Sequence, residues 1–414
     1  MGILGFIQSN FRFLSAGMVI SFSSSYGQTF FVSLFAAQIM AAYNLSDGEW
    51  GAVYTIATTA SAIVMFWAGA VTDHVRVRVL VWAVMPGLAV TCVWMSVNSW
   101  LIGLGIIVFL LRFLGQGMMS QLAVTAMARW FVARRGLALS ISAIGFALGT
   151  ALFPVMFASL LETYHWRSLW ILAGALVMAT LPLVLWLLSA ERTPQSHAEN
   201  SNALGMDGRH WTRKDVITSP FFWLLMPMLL GPPAWGTALF FQQVHIAEVK
   251  GFSLVEYLAL LPLLTTVSVT FMLISGQLID RFGSARLIQI YLVPFALAFI
   301  VISISDTLFG VAIGFVFFGI GAGIQATVPA AFWAEFFGTR HIGSIKAVST
   351  SVMVFGSAVG PGISGALIDL GYSFPDQMLA YAVYFIAAIG LVWLAVERAR
   401  PRLAVARKVD IKGT

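Results

Sequence analysis

The stretch Gly276-Gln-Leu-Ile-Asp280-Arg281-Phe-Gly283-Ser-Ala-Arg286 closes one long apolar segment and opens the next. The stretch Gly69-Ala-Val-Thr-Asp73-His-Val-Arg76-Val-Arg78 does the same 207 residues earlier, an offset of half the 414-residue chain. That offset also relates Trp130 to Phe337, Gly136 to Gly343, Gly149 to Gly356 and Pro154 to Pro361. Correspondences at one fixed spacing mean two copies of one structural unit. Two parallel copies with a cavity between them are what membrane transporters use for alternating access.

Composition agrees with a membrane chain. Hydrophobic residues make up 59% and charged residues only 10%, against about a quarter charged in ordinary globular domains. Mean hydropathy is +0.90. A spanning helix needs about 20 apolar-dominated residues. Twelve such segments are expected near 12–37, 48–71, 79–96, 101–129, 136–159, 167–189, 220–247, 254–279, 286–304, 308–334, 342–370 and 378–396. The expected fold is therefore an all-α membrane protein with twelve transmembrane helices in two pseudo-symmetric six-helix halves. Residues 1–189 form the N-terminal half, 190–219 a cytoplasmic linker, 220–396 the C-terminal half and 397–414 a basic cytoplasmic tail. A soluble enzyme and a disordered chain are both excluded.

Several smaller readings follow. The single cysteine, Cys92, has no partner for an internal disulfide and sits among apolar residues as a packing residue. Neither a phosphate-cradling glycine loop nor a metal-ligand cluster is visible, so neither cofactor nor metal is expected. No catalytic constellation is present, which argues against an enzyme. The N-terminus lacks a basic region followed by a small-residue cleavage site, so the first hydrophobic stretch serves as its own signal. The net charge of +6 reflects membrane topology rather than nucleic-acid binding. With both termini inside, 20 of the 23 Lys and Arg fall in cytoplasmic segments; Arg167 and Lys250 fall outside and Arg112 lies within a span. That asymmetry orients the chain in the cell (inner) membrane with both termini cytoplasmic.

Charge inside the bilayer costs several kcal/mol, so an intramembrane ion is a candidate functional group. No acidic residue lies near the middle of a span; Asp73, Asp280, Glu335 and Asp369 fall at span ends. Arg112 alone is deep, roughly 16 Å from the outer end of span four at about 1.5 Å per residue. A lone cation there either binds an anionic substrate through its forked guanidinium or bonds neighbouring backbone carbonyls and holds the bundle. Gln116 follows one helical turn later and shares its face. The first span has a polar centre, Ser23-Ser-Ser-Tyr26-Gly-Gln28-Thr29, and bulky polar Tyr26 and Gln28 suit a cavity wall better than helix packing. In the other half, Gln325 and Trp235 lie near mid-membrane, and Pro232-Pro233 is expected to break or kink span seven. His245, nearer the outer mouth, is expected to be an ordinary exposed histidine.

The second-half stretch quoted above matches the loop signature of the major facilitator superfamily, Gly-x3-Asp-basic-x-Gly-x2-basic, and the first-half copy is degraded, with His74 and Val75 in place of the basic residue and the glycine. Span four carries Arg112-Phe-Leu-Gly-Gln-Gly, similar to the Arg-and-glycine motif of that family, and the whole chain resembles it. The stretch Trp130-Phe-Val-Ala-Arg134-Arg135-Gly-Leu-Ala138, with Gly145 and Gly149 beyond, resembles the monocarboxylate-transporter and oxalate/formate-antiporter branch. The lysine that the animal monocarboxylate carriers use for substrate and proton binding has no counterpart in the first span here, nor does span eight hold a mid-membrane Asp–Arg pair. The resemblance implies that Asp73, Arg76, Arg134, Arg135, Asp280, Arg281, Arg286 and Arg340 form cytoplasmic charge networks that gate the two halves.

The expected function is secondary active transport of a small organic anion, a mono- or dicarboxylate, driven by a proton or exchange gradient. Arg112 would anchor the anion, with Tyr26, Gln28, Gln116, Gln325 and Trp235 around it. The alternative is a proton-driven exporter of drugs or amphipathic metabolites, suggested by 14 tryptophans and 33 phenylalanines. The expected partners are a small-molecule substrate and the lipid bilayer, without nucleic acid, and the expected state is a monomer.

Overall fold

The computed structural model describes residues 3–131, 135–190, 204–338 and 341–412. Regular structure among them is entirely helical. The chain divides into two compact units. The first holds Met1–Ala198 with Phe240–Val244 and Ser253–Ala259; the second holds Glu199–Leu239, His245–Phe252 and Leu260–Thr414.

Ten helices among the described residues are long and apolar enough to cross a membrane. They correspond to spans three to twelve of the sequence reading. The two remaining spans are built differently. Span one runs from helix Ile3–Ser23 through tight turns at Ser24–Gly27 and Ser33–Phe35 to helix Ala36–Tyr43. Span two is the single helix Asp47–His74. Asn44 in the left-handed region turns the chain between them, and a reciprocal cap follows, with the Glu49 N–H donating to Ser46 Oγ at 3.1 Å and the Ser46 N–H to Glu49 Oε2 at 2.9 Å.

The repeat is visible in the packing within each unit. In the first, span three (Val77–Val97) lies against span six (Trp166–Leu187), and span two against span four. In the second, span nine (Val293–Ile304) lies against span twelve (Phe374–Lys412), and span eight (Leu261–Phe282) against span ten (Leu308–Gln325). Glycines set the closest crossings. A Cβ on Gly145 would sit 1.9 Å from Met18 O, and one on Gly360 would sit 2.0 Å from Ala234 O. Apolar attraction between helices is weak in lipid, so such backbone approach is a main source of packing energy.

Two sequence expectations are corrected by the backbone. Gly283 ends span eight with φ +80° and ψ 154°, a conformation that only glycine adopts without strain. The 207-residue register places Arg76, rather than Val75, opposite it. Arg76 has ordinary extended angles (φ −63°, ψ 138°), so the first-half loop needs no glycine there. The second correction concerns span seven, which stays one helix, Pro220–Phe241, through Pro227, Pro232 and Pro233. Pro232 has no N–H for the carbonyl of Met228, and the Tyr291 hydroxyl donates to that carbonyl instead at 3.1 Å. The Tyr384 hydroxyl donates to the neighbouring Pro227 carbonyl at 2.8 Å.

Two further features extend the sequence reading. Span twelve continues as one helix to Lys412, so the basic stretch after residue 396 is helical through Pro401. The end of the linker is built into the second unit: Trp211 is buried, its N–H donates to Phe337 O at 3.0 Å and its ring lies against Phe337. Arg402 grips Asp207 with two hydrogen bonds, which hold the Asp207 carboxyl below its ordinary range.

Candidate functional site

Two irregular backbones meet at the centre of the first unit. Span one tightens into a 3-10 turn over Ser24–Gly27 and breaks at Gln28, which is extended (φ −83°, ψ 155°). Span four is π-helical over Leu111–Met119. Single-turn π-bulges cluster at functional sites, and broken helices inside membranes line binding sites in transporters. Glycines let these backbones touch: a Cβ on Gly27 would meet Leu111 O at 2.0 Å and Gly115 Cα at 2.7 Å.

Arg112 sits at this crossing and is only 2% exposed. Its Nη1 donates to the Gly27 carbonyl at 3.3 Å and to Thr29 Oγ1 at 3.1 Å. The break in span one supplies that carbonyl. The Tyr54 ring lies 5.3 Å from the guanidinium carbon, a cation–π contact, and the Tyr54 hydroxyl is 2.7 Å from Thr29 Oγ1. Beyond Tyr54 lie the Phe241 ring, 4.7 Å away, and Trp50, stacked on Phe241 at 5.7 Å. No carboxylate pairs with Arg112 among the described residues. Its Nε is buried and has no hydrogen-bond partner. One nitrogen of the fork is therefore used by the protein, and the edge carrying Nε is not. A buried cation with an unused donor edge carries an unmet hydrogen-bonding demand.

The other proposed contacts divide between the units. Tyr26 and Gln28 flank Gly27 in sequence and are both buried. The Tyr26 ring packs on Phe153 at 4.7 Å and on Phe31 at 5.4 Å, inside an aromatic cluster. Gln116 is half-buried, and its backbone nitrogen abuts Gly27. Gln325 and Trp235 belong to the second unit. Trp235 stacks on Tyr381 at 4.0 Å and meets Tyr384 edge-on, and its indole N–H is buried without a partner. Gln325 ends helix Leu308–Gln325, where span ten breaks before Val328–Phe337, and borders a cavity of about 200 Å³.

Of the proposed gate residues, Arg76, Arg281 and Arg286 are exposed, with Arg281 over the Phe282 ring at 5.3 Å. The side chains of Asp73, Arg135 and Asp280, and residues Arg134 and Arg340 as a whole, lie outside the described residues. His245 is half-buried rather than exposed, and its Nε2 faces the Phe374 N–H at 3.4 Å, at the start of span twelve. Among the described residues no group of His, Cys, Asp and Glu could hold a metal.

Sequence reasoning missed Tyr54 and Trp50. A tyrosine at bilayer depth, whose hydroxyl must find a partner, was the available signal for the first. The π-helix carries no comparable signal.

The sequence profile described as Major Facilitator Superfamily matches residues 17–305 and 263–410. No curated protein is similar enough in sequence to count as a relative. Among solved structures, the nucleoside transporter NupG superposes with a TM-score of 0.70 at 14% identity, over 92% of this chain and 98% of that one. A bacterial homologue of the human lysosomal transporter Spinster, inward-facing and occupied, superposes with a TM-score of 0.68 at 16% identity, over 93% and 96%. At such identities the likeness concerns the fold.

Proposed function

The chain belongs to the Major Facilitator Superfamily, and from that premise we propose that the solute it moves is a small organic anion, a mono- or dicarboxylate. As a member of that family it is a multi-pass membrane transporter and not an enzyme. Transport would proceed by alternating access, driven by a proton or exchange gradient, as in the monocarboxylate and oxalate/formate branch that the Trp130–Ala138 stretch resembles.

The observation that supports the anion is Arg112: buried, without a carboxylate partner among the described residues, and with Nε unused. A carboxylate accepting from that edge would form a bidentate pair. Thr29 and Tyr54 hold the guanidinium so that the edge is presented without reorganisation. Tyr26, Gln28 and Gln116 would shape the site in the first unit; Gln325 and Trp235, in the second, are also assigned to substrate binding. Asp73, Arg76, Arg134, Arg135, Asp280, Arg281, Arg286 and Arg340 are assigned to the cytoplasmic gate. The proposed organisation is two six-helix halves, 1–189 and 220–396, with the linker 190–219 and tail 397–414 in the cytoplasm and the protein acting as a monomer.

The test is counterflow in proteoliposomes with labelled lactate, pyruvate, oxalate and formate. Wild type is expected to exchange at least one of these acids. Arg112→Gln should lower its apparent affinity at least tenfold, about 1.4 kcal/mol. Arg112→Lys should restore only part, because an ammonium is a point charge without the fork. Absence of exchange with every acid, or wild-type kinetics in Arg112→Gln, would remove the anion reading.

A further inference from the structure

The second unit contains a cavity of about 200 Å³ that shares only Gln325 with the residues assigned to the anion. Its walls are buried: Met228, Leu229, Tyr291 and Trp333 are all under 5% exposed. Its mouth is open, with Gln325 half-buried and Thr350 exposed. No charged side chain borders it among the described residues.

Its polar groups are few and unspent. The Tyr291 hydroxyl is committed to the Met228 carbonyl, which Pro232 leaves without its helical donor. The next carbonyl, Leu229, loses its helical donor to Pro233 in the same way. Neither the Gln325 amide nor the Thr350 hydroxyl forms a hydrogen bond among the described residues. The cavity thus combines apolar walls with a hydroxyl and a primary amide that form no hydrogen bond among the described residues. An apolar cavity of about 150 Å³ accommodates benzene. This one has room for a ring and a small polar edge.

We propose that this cavity binds a small uncharged planar molecule whose edge carries both an N–H donor and a carbonyl acceptor, as an aromatic primary amide or a lactam does. Gln325 would supply a donor and an acceptor to that edge, Leu229 O or Thr350 would take the remaining proton, and Trp333 would bound the ring. A carboxylate of the same shape would lose hydration without gaining a cation among the described lining residues, and is disfavoured. The inference rests on the transporter reading only in taking Gln325 as a ligand contact, and it assigns that residue a chemistry different from that of Arg112. The cavity also touches Ala326 and Pro329, where span ten breaks, so its occupant would bear on the joint between the two helices of that span.

Benzamide, benzoate and toluene are near-isosteric probes that separate the possibilities. Binding to the purified full-length protein is measured by titration calorimetry in nanodiscs, which requires no transport; its outcome is independent of the carboxylate counterflow result. Benzamide should bind at least tenfold more tightly than either benzoate or toluene. Gln325→Leu should weaken benzamide at least tenfold while leaving toluene unchanged, and Thr350→Trp, which fills the mouth, should abolish both. A thermal melt of each variant establishes that it is folded, and Gln325→Glu offers a second variant of nearly the same size that should also weaken benzamide. Benzoate binding as tightly as benzamide, benzamide affinity unchanged in a folded Gln325→Leu, or no benzamide binding up to its solubility would each overturn the proposal.

Discussion

A charge in the middle of a bilayer has to be completed by something. The protein provides half of a solvation shell for Arg112: one carbonyl released by the break in span one, one threonine hydroxyl and one tyrosine face. This arrangement depends on how closely span one approaches span four, and Gly27 sets that distance. An alanine at Gly27 would press its Cβ against backbone atoms at 2.0 and 2.7 Å, and backbone cannot rotate away. Overpacking of this kind costs about 1–3 kcal/mol. Gly27→Ala is therefore expected to lower the melting temperature of the purified protein by several degrees, whereas Gly390→Ala, which meets nothing within 4 Å, should leave it unchanged. Equal melting temperatures for the two variants would mean that the crossing yields to an added methyl without cost. At this scale the sequence reading found Arg112 from its isolation among apolar neighbours, and it found the polar centre of span one. It could not find Tyr54, because contact between spans two and four is a matter of distance rather than order along the chain.

Helical elements in this chain are interrupted where carbonyls have work to do and continuous where other groups satisfy them. Span seven shows the second case. Two adjacent prolines were expected to break or kink it; the helix is not broken, and a hydroxyl from another helix reaches the affected turn, Tyr291 bonding Met228 O, while Tyr384 bonds the neighbouring Pro227 O. In lipid no water can replace such a donor. Tyr291→Phe removes the hydroxyl and keeps the ring, leaving a buried carbonyl unsatisfied at a cost of about 1 kcal/mol. The expected result is a measurably lower unfolding midpoint in a denaturing-detergent titration, together with faster hydrogen exchange in the turn around Pro232. An unchanged midpoint would indicate that the carbonyl finds another donor. A proline pair in a sequence announces missing N–H groups, but it does not announce whether a tyrosine from another span will stand opposite.

For the whole molecule, the arginine and lysine asymmetry predicts which loops face the cytoplasm. Cys92 is fully buried, so the native chain is a silent background for thiol labelling. With a membrane-impermeant maleimide applied to intact cells, Asp306→Cys is expected to label at once, and a cysteine replacing Thr414 only after permeabilisation. The reverse pattern would invert the proposed orientation. The segment proposed as the end of the linker is anchored within the second unit: Trp211 is buried against Phe337, and Asp207 is gripped by Arg402 of the extended last helix. Charges of opposite sign 195 residues apart in sequence gave no sign of that pairing.

The all-helical class and the twofold repetition were legible in the sequence alone, and the orientation proposed here rests on its charges. They depend on segment length, hydropathy and charge, quantities each segment carries regardless of its neighbours. The loop glycine at position 283 belongs to the same class, since its φ is a local property. Whether Arg112 would find an acid, where the helices would loosen and which carbonyls would stay free were decided only by tertiary structure. Those outcomes turn on contacts of 2–5 Å between segments far apart in the chain, and a hydrogen bond at such a contact depends on both partners and on the depth at which they meet.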